Sequence, residues 1–170
     1  LVEMMGGEIS VTSQPGAGSE FRFTASFQIG EAPAPTHHLS EVVQSLRVLV
    51  VDDSAKAREI VESILADIGC RSVLVASGEE ALAEIGRAAV AGAPYDVVLM
   101  DWRMPGLDGL EAARQIRADE RLQPPPRIVL VTAYGGEFPH DEASAEQLDL
   151  CLVKPLSVAM VRDALTQLFG

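Results

Sequence analysis

The chain has 170 residues, 48% of them hydrophobic and 22% charged, and a formal net charge of −12. That length allows one complete domain plus a fragment, and the composition excludes a disordered chain. The excess of carboxylates argues against a nucleic-acid surface, which is built from clustered Lys and Arg. No apolar run reaches the roughly 18 residues that would span a bilayer, and no signal-peptide pattern opens the chain, so a soluble, cytoplasmic protein without membrane contact is expected. Cys70 and Cys151 are too few for a disulfide framework and lie in no CxxC or Cys/His cluster; both are expected as buried thiols. The chain begins at Leu1 inside an apolar segment, which points to a piece of a longer protein.

Residues 1–5 read as the end of a helix stopped by Gly6-Gly7. A hairpin follows. In residues 8–13, Ile9 and Val11 alternate with polar neighbours; residues 14–18 (Gln-Pro-Gly-Ala-Gly) turn; residues 20–27 return with Phe21, Phe23, Ala25 and Phe27 on one face. That face needs a partner, and without one the hairpin is expected to be disordered, docked on the rest of the chain from residue 46 onward, or paired with another copy as a homodimer. Residues 30–36 have the Pro/Ala composition of a semi-extended linker, and little apolar periodicity places the segment through Gln44 in a core, so a linker is set at 31–45.

From Leu46 onward strands alternate with helices, the rhythm of a parallel sheet covered on both sides. Strands are expected at 48–51, 73–75, 97–100, 128–131 and 150–153, with helices at about 55–68, 79–90, 110–118, 139–148 and 158–169. Ser54, Ser77 and Ser157 stand at helix N-caps, and Ser77 with Glu80 has capping-box spacing.

In an open parallel sheet, sites form beyond the carboxyl ends of the strands. The first predicted strand ends in Asp52-Asp53, the third in Asp101, the fourth in Thr132, and the fifth runs into Lys154-Pro155. Three carboxylates at one edge repel one another unless a cation joins them, and hard oxygen ligands select Mg²⁺, or Mn²⁺ in its place. The alternative is that Asp52 and Asp53 simply open the loop and cap the helix. Lys154 and the Thr132 hydroxyl suit the recognition of a carboxylate or phosphoryl oxygen, which favours the metal reading.

These stretches, Val-Leu-Val-Val-Asp-Asp-Ser (48–54), Asp-Val-Val-Leu-Met-Asp-Trp-Arg-Met-Pro-Gly-Leu-Asp-Gly (96–109), Ile-Val-Leu-Val-Thr-Ala (128–133) and Leu-Val-Lys-Pro-Leu (152–156), together resemble the receiver domain of response regulators and hybrid histidine kinases. The resemblance covers about 46–170. It implies a flavodoxin-like (βα)5 doubly wound sheet with strand order 2-1-3-4-5. It also implies that Asp101 accepts a phosphoryl group from a phosphohistidine, on a histidine kinase or a histidine phosphotransfer domain. Asp52, Asp53, Asp101 and the backbone carbonyl of Arg103 would hold Mg²⁺, Lys154 would pair with the phosphoryl group, and Thr132 would sense it with Ala133 beside it. Arg103 and Tyr134 occupy the places where the family tunes water access. Cys151 stands where many receivers carry an aromatic switch residue, so the readout must use other packing.

Residues 1–21 are similar to the closing part of the ATP-binding domain of a sensor histidine kinase, without its nucleotide-binding segments, so this piece is expected neither to bind ATP nor to phosphorylate another protein. Kinase core first and receiver second is the order of a hybrid histidine kinase. Two other classes compete. A phosphorylation-independent pseudo-receiver would not be expected to keep the whole Asp/Asp/Asp/Thr/Lys set. A flavin-binding or hydrolytic enzyme of similar sheet order needs a phosphate-cradling first loop, which Asp52-Asp53 opposes, and the Asp-x-Asp of haloacid-dehalogenase-like phosphatases is broken by Arg103.

Overall fold

The computed structural model describes residues 2–16, 18–27, 41–133 and 148–170, and the chain divides into two compact units, Leu1–His38 and Leu39–Gly170. In the first, a 3-10 turn at Glu3–Met5 ends at Gly6, whose φ of 66° suits a residue without a Cβ. Strands β1 (Ile9–Gln14) and β2 (Gly18–Phe23) then pair antiparallel, with Ile9 opposite Phe23 and Gln14 opposite Gly18. Gln14 and Gly18 already belong to the ladder, so the turn is shorter than expected. The returning strand also stops at Phe23, leaving Ala25 and Phe27 beyond it. Gly7 is required by close approach, since a Cβ there would lie 1.8 Å from the Thr24 carbonyl oxygen. Every residue of β1 and of β2 is exposed.

The second unit runs α1 (Glu41–Ser45), β3 (Arg47–Val51), α2 (Ala55–Ile68), β4 (Arg71–Val75), α3 (Gly78–Val90), β5 (Val97–Asp101), α4 (Gly109–Ala118), β6 (Arg127–Thr132), β7 (Leu150–Val153) and α5 (Val158–Phe169). Its five strands pair in parallel in the order β4-β3-β5-β6-β7, the 2-1-3-4-5 order of the flavodoxin-like fold. The helix expected at 139–148 lies outside the described residues, apart from Leu148.

Strand periodicity builds two cores from one sheet. Val48, Val50, Val97, Leu99 and Val129 face α2 and α5, where Ile64, Leu65, Val161 and Leu165 are buried. Their neighbours Leu49, Val51, Val98, Met100 and Ile128 face α3 and α4, meeting Ala81, Ile85, Ala112 and Ile116. Consecutive apolar residues in β3 and β5 are thus used on both faces, as parallel strands require. β4 starts two residues earlier than expected, because an edge strand tolerates the exposed Arg71 and the half-buried Ser72 at its start.

Of the linker expected over 31–45, residues 31–40 lie outside the described residues. Residues 41–45 form α1, and Val43, 1% exposed, is part of the α2/α5 core. The thiol of Cys70 donates to the Val43 carbonyl at 3.1 Å. Cys70 is buried as expected, whereas Cys151 is only half-buried. Burial raises the pKa of both thiols.

Serines 54, 77 and 157 accept from the amides of Ala57, Glu80 and Met160 as caps. The return bond of the capping box goes one residue further than expected, from the Ala76 amide to Glu80 Oε2 at 2.8 Å. At the opposite edge of the sheet from the strand-end carboxylates, Asp149 accepts from Ile128 N at 2.7 Å and from Arg127 Nη1 at 2.8 Å, and it also pairs with Arg117. Among the described residues no helix is long and apolar enough to cross a membrane.

Candidate active site

The parallel register aligns the carboxyl ends of the central strands. Val51 pairs with Met100, Asp101 with Val131, and Thr132 with Val153, so the residues that follow each strand meet at one edge. Buried among apolar neighbours there are Asp52 (5% exposed), Asp101 (8%) and Thr132 (3%). Lys154 leaves β7 with its amide bonded to the Thr132 carbonyl at 2.7 Å. Its Nζ lies 2.7 Å from Asp52 Oδ2 and 2.6 Å from Asp101 Oδ1.

One ammonium group therefore bridges two carboxylates that would otherwise repel. Both touch the same nitrogen, so their oxygens stand within about 5 Å, where like charges cost about 3 kcal/mol at an effective dielectric of about 20. Burial raises the Asp101 pKa; the hydrogen bond and charge of Lys154 oppose it, while Asp52 and Asp53 reinforce it. For Lys154, burial works against the charge, but hydrogen bonds to Asp101 and Asp52 outweigh it and its pKa is raised.

Asp53 is exposed, unlike its two partners. Two of the three expected carboxylates are brought together and the third stands at the rim, near enough for its charge to act on Asp101. Among the described residues no three His, Cys, Asp or Glu side chains form a ready cage for a metal. The donor chemistry nevertheless fits a hard divalent cation, because Asp52 and Asp101 share one ammonium, Asp53 adds its charge from the rim, and carboxylate oxygens are the ligand type that Mg²⁺ takes.

The loop after Asp101 is held from both sides. Asp108 caps α4 by accepting from Glu111 N at 2.8 Å, a cap not anticipated from the sequence. Gly109 opens that helix because a Cβ there would lie 2.2 Å from the Asp101 carbonyl oxygen. From α3, Glu79 Oε1 accepts the Leu107 amide at 3.0 Å, and hydrogen bonds from its own amide and from that of Leu107 lower the Glu79 pKa. Glu79 was not among the expected site residues; acidic residues after a cap are so common that sequence alone carries no signal for this one.

Arg103 is exposed, with its guanidinium 5.2 Å from the Trp102 ring centroid. Ala133 is exposed beyond Thr132, and Tyr134 lies outside the described residues. Cys151 pairs with Leu130 in the ladder, while Leu150 and Leu152 on either side of it pack toward the α2/α5 core. A second residue missed from sequence is Arg58, whose Nη1 donates to the Asp52 carbonyl at 2.6 Å. A depression of about 360 Å³ lies elsewhere, lined by Leu82, Ile85, Ile116, Asp119, Arg121 and Leu122 among others, and holds none of these strand-end groups.

Residues 48–166 match the response regulator receiver domain. This chain belongs to the receiver family. Receiver domains are the phospho-accepting modules of two-component signalling and phosphorelay. This receiver is 31% identical over 127 residues to the chemotaxis protein CheY-3 of Vibrio cholerae, across 74% of the chain and 93% of that protein. It is 35% identical over 179 residues to the virulence sensor protein BvgS of Bordetella bronchiseptica, across 98% of the chain but only 14% of that much longer protein. Among solved structures it resembles the receiver domain of the sensor histidine kinase PA1611 from Pseudomonas aeruginosa, with a TM-score of 0.60 and 31% identity, over 72% of this chain and 96% of that one. The PA1611 domain holds a magnesium ion in its active site cleft.

Proposed function

We propose that Asp101 is the phosphoryl acceptor of this receiver, with Lys154 and Thr132 as the groups that meet the transferred phosphoryl oxygens. The observation that carries the reading is the Lys154 ammonium, drawn 2.7 and 2.6 Å from Asp52 and Asp101 although it follows Asp52 by 102 residues. A half-buried ammonium held beside Asp101 by two carboxylates is positioned to pair with an oxygen of an incoming anion.

Asp52, Asp53, Asp101 and the backbone carbonyl of Arg103 are the residues that would hold Mg²⁺, with Mn²⁺ as a substitute. The magnesium in the PA1611 receiver supports this assignment. The bound ion would supply positive charge to the phosphoryl oxygens. In the transfer itself, an Asp101 carboxylate oxygen forms a bond to phosphorus as the P–N bond of the phosphohistidine breaks, and that electron pair returns to the imidazole. The product is an acyl phosphate, later cleaved by water. Lys154 balances the incoming anion and Thr132 donates to it. Arg103 and Tyr134 modulate the access of water. Ala133 and Cys151 belong to the switch, with Cys151 relaying through packing rather than through an aromatic rotamer.

The donor is a phosphohistidine on a histidine kinase or a histidine phosphotransfer domain. Residues 1–30 are a remnant of a kinase ATP-binding domain and 46–170 the receiver, joined through 31–45, whose last turn packs with the receiver. The parent is a cytoplasmic-facing hybrid histidine kinase, supported by the similarity to the Bordetella sensor, which includes the hairpin. The hairpin's exposed Phe21 and Phe23 suit pairing with a second copy.

Incubation with Mg²⁺ and phosphoramidate, read by intact mass, is expected to add one phosphoryl group to the wild type and none to Asp101→Ala. An adduct on the variant contradicts the assignment, and no adduct on the wild type favours a phosphorylation-independent interaction module.

A further inference from the structure

Helix α2 departs from the charge pattern of α3 and α4. Those two carry acidic residues in their first turns, Glu79 and Glu80 in one and Glu111 in the other, where the positive end of the helix favours them. α2 has no acidic residue there and instead places Lys56 and Arg58 among its first four positions. Cations at that end are opposed by the helix dipole, so something local must hold them. For Arg58 the structure shows what does. Its half-buried side chain folds back over the turn, and Nη1 donates to the Asp52 carbonyl oxygen at 2.6 Å.

That carbonyl belongs to the peptide joining Asp52 to Asp53. The same residue is tied at three further points: its amide donates to the Val75 carbonyl at 3.3 Å, its Oδ1 accepts the Ser54 amide at 2.9 Å, and its Oδ2 accepts from Lys154 Nζ at 2.7 Å. The Arg58 bond is the one that reaches the carbonyl side, between the two carboxylates.

We propose that Arg58 is a positioning residue for the acidic site, clamping the Asp52–Asp53 peptide so that Asp52 is held toward Lys154 while Asp53 stays at the rim, ready for a divalent cation. The proposal rests on the reading of the site as a Mg²⁺ centre. Two effects of Arg58 on cation binding have opposite signs. As a positive charge near carboxylates it weakens binding, whereas as a clamp it strengthens binding, because a peptide already ordered imposes no ordering cost on the cation. The guanidinium is half-exposed and its charge is screened by solvent, so the clamp is the larger effect.

The test is a Mg²⁺ titration of the full chain as wild type, Arg58→Ala and Arg58→Lys. It is followed by the fluorescence of Trp102, the single tryptophan and the neighbour of Asp101, with calorimetry alongside. Amide exchange of Ser54 is measured in chelator, with no metal present. We expect Arg58→Ala to bind Mg²⁺ about tenfold more weakly and to exchange the Ser54 amide faster, with Arg58→Lys between it and the wild type. Equal or tighter Mg²⁺ binding by Arg58→Ala, or an unchanged Ser54 exchange rate, overturns the proposal. If Arg58→Ala does not fold, Arg58→Lys is judged by the same two criteria. A wild type that binds no Mg²⁺ would remove the metal-site reading instead, and the metal-free exchange rate alone would then decide whether the clamp exists.

Discussion

Lys154 is the residue on which the site's electrostatics turn, because it neutralises two carboxylates that burial has deprived of water. Removing it in Lys154→Ala leaves Asp52 and Asp101 facing each other. A fully buried pair costs about 3–5 kcal/mol to break, but the Lys154 side chain keeps 31% of its exposure, so a loss of about 1–3 kcal/mol is expected in chelator. Added Mg²⁺ should raise the melting temperature of the variant more than that of the wild type, since a cation can take over the neutralisation. Equal Mg²⁺ shifts in both proteins would argue that the two carboxylates do not share a cation. At this scale the sequence was informative where residue type and strand end coincide: Asp52, Asp101, Thr132 and Lys154 each follow directly from that rule. It was silent on Arg58 and Glu79, because both act on backbone groups, the Asp52 carbonyl and the Leu107 amide, which leave no trace in residue identity. Asp53, expected at the same site, lies exposed just beyond the end of β3, with its charge still acting on Asp101.

Among the elements, helices with strong caps and apolar stripes were legible to within a residue, α2 and α5 being the clearest cases. α1 was not, since five residues with one buried side chain, Val43, are too short for any periodicity to show. Asp149 was also missed, because its role depends on β6 and β7 being neighbours. It ties the start of β6 to α4 through Ile128, Arg127 and Arg117. Burial pushes its pKa up, but the Ile128 amide and the two arginines outweigh that, and it is held below the ordinary carboxylate range. A depressed folded pKa gives stability that is complete above the unfolded value of about 4 and is lost as the pH falls through the folded one. Urea unfolding should therefore show Asp149→Asn to be less stable than the wild type at pH 7, by about 1–3 kcal/mol, with the difference shrinking toward pH 2. A difference that stays constant with pH would show that the charge of Asp149 is not what stabilises this edge.

For the whole molecule, the alternation of strands and helices, the strand order and the gathering of the strand ends were legible together, because a parallel sheet dictates all three once its rhythm is recognised. The limits of the second unit were less so, since nothing in the composition of 41–45 distinguishes a short packed helix from a linker. Phosphorylation chemistry depends on that gathering, in which Asp101 is the buried carboxylate at the end of the central strand and Lys154 reaches it from the edge. The most direct measurement is to phosphorylate the intact chain with phosphoramidate and Mg²⁺, reduce it with borohydride, which converts an aspartyl phosphate to homoserine, and map the peptides by mass spectrometry. Homoserine at position 101, absent without phosphoramidate, is the predicted result. Homoserine at 52 or 53 instead, or at none of the three, would contradict it.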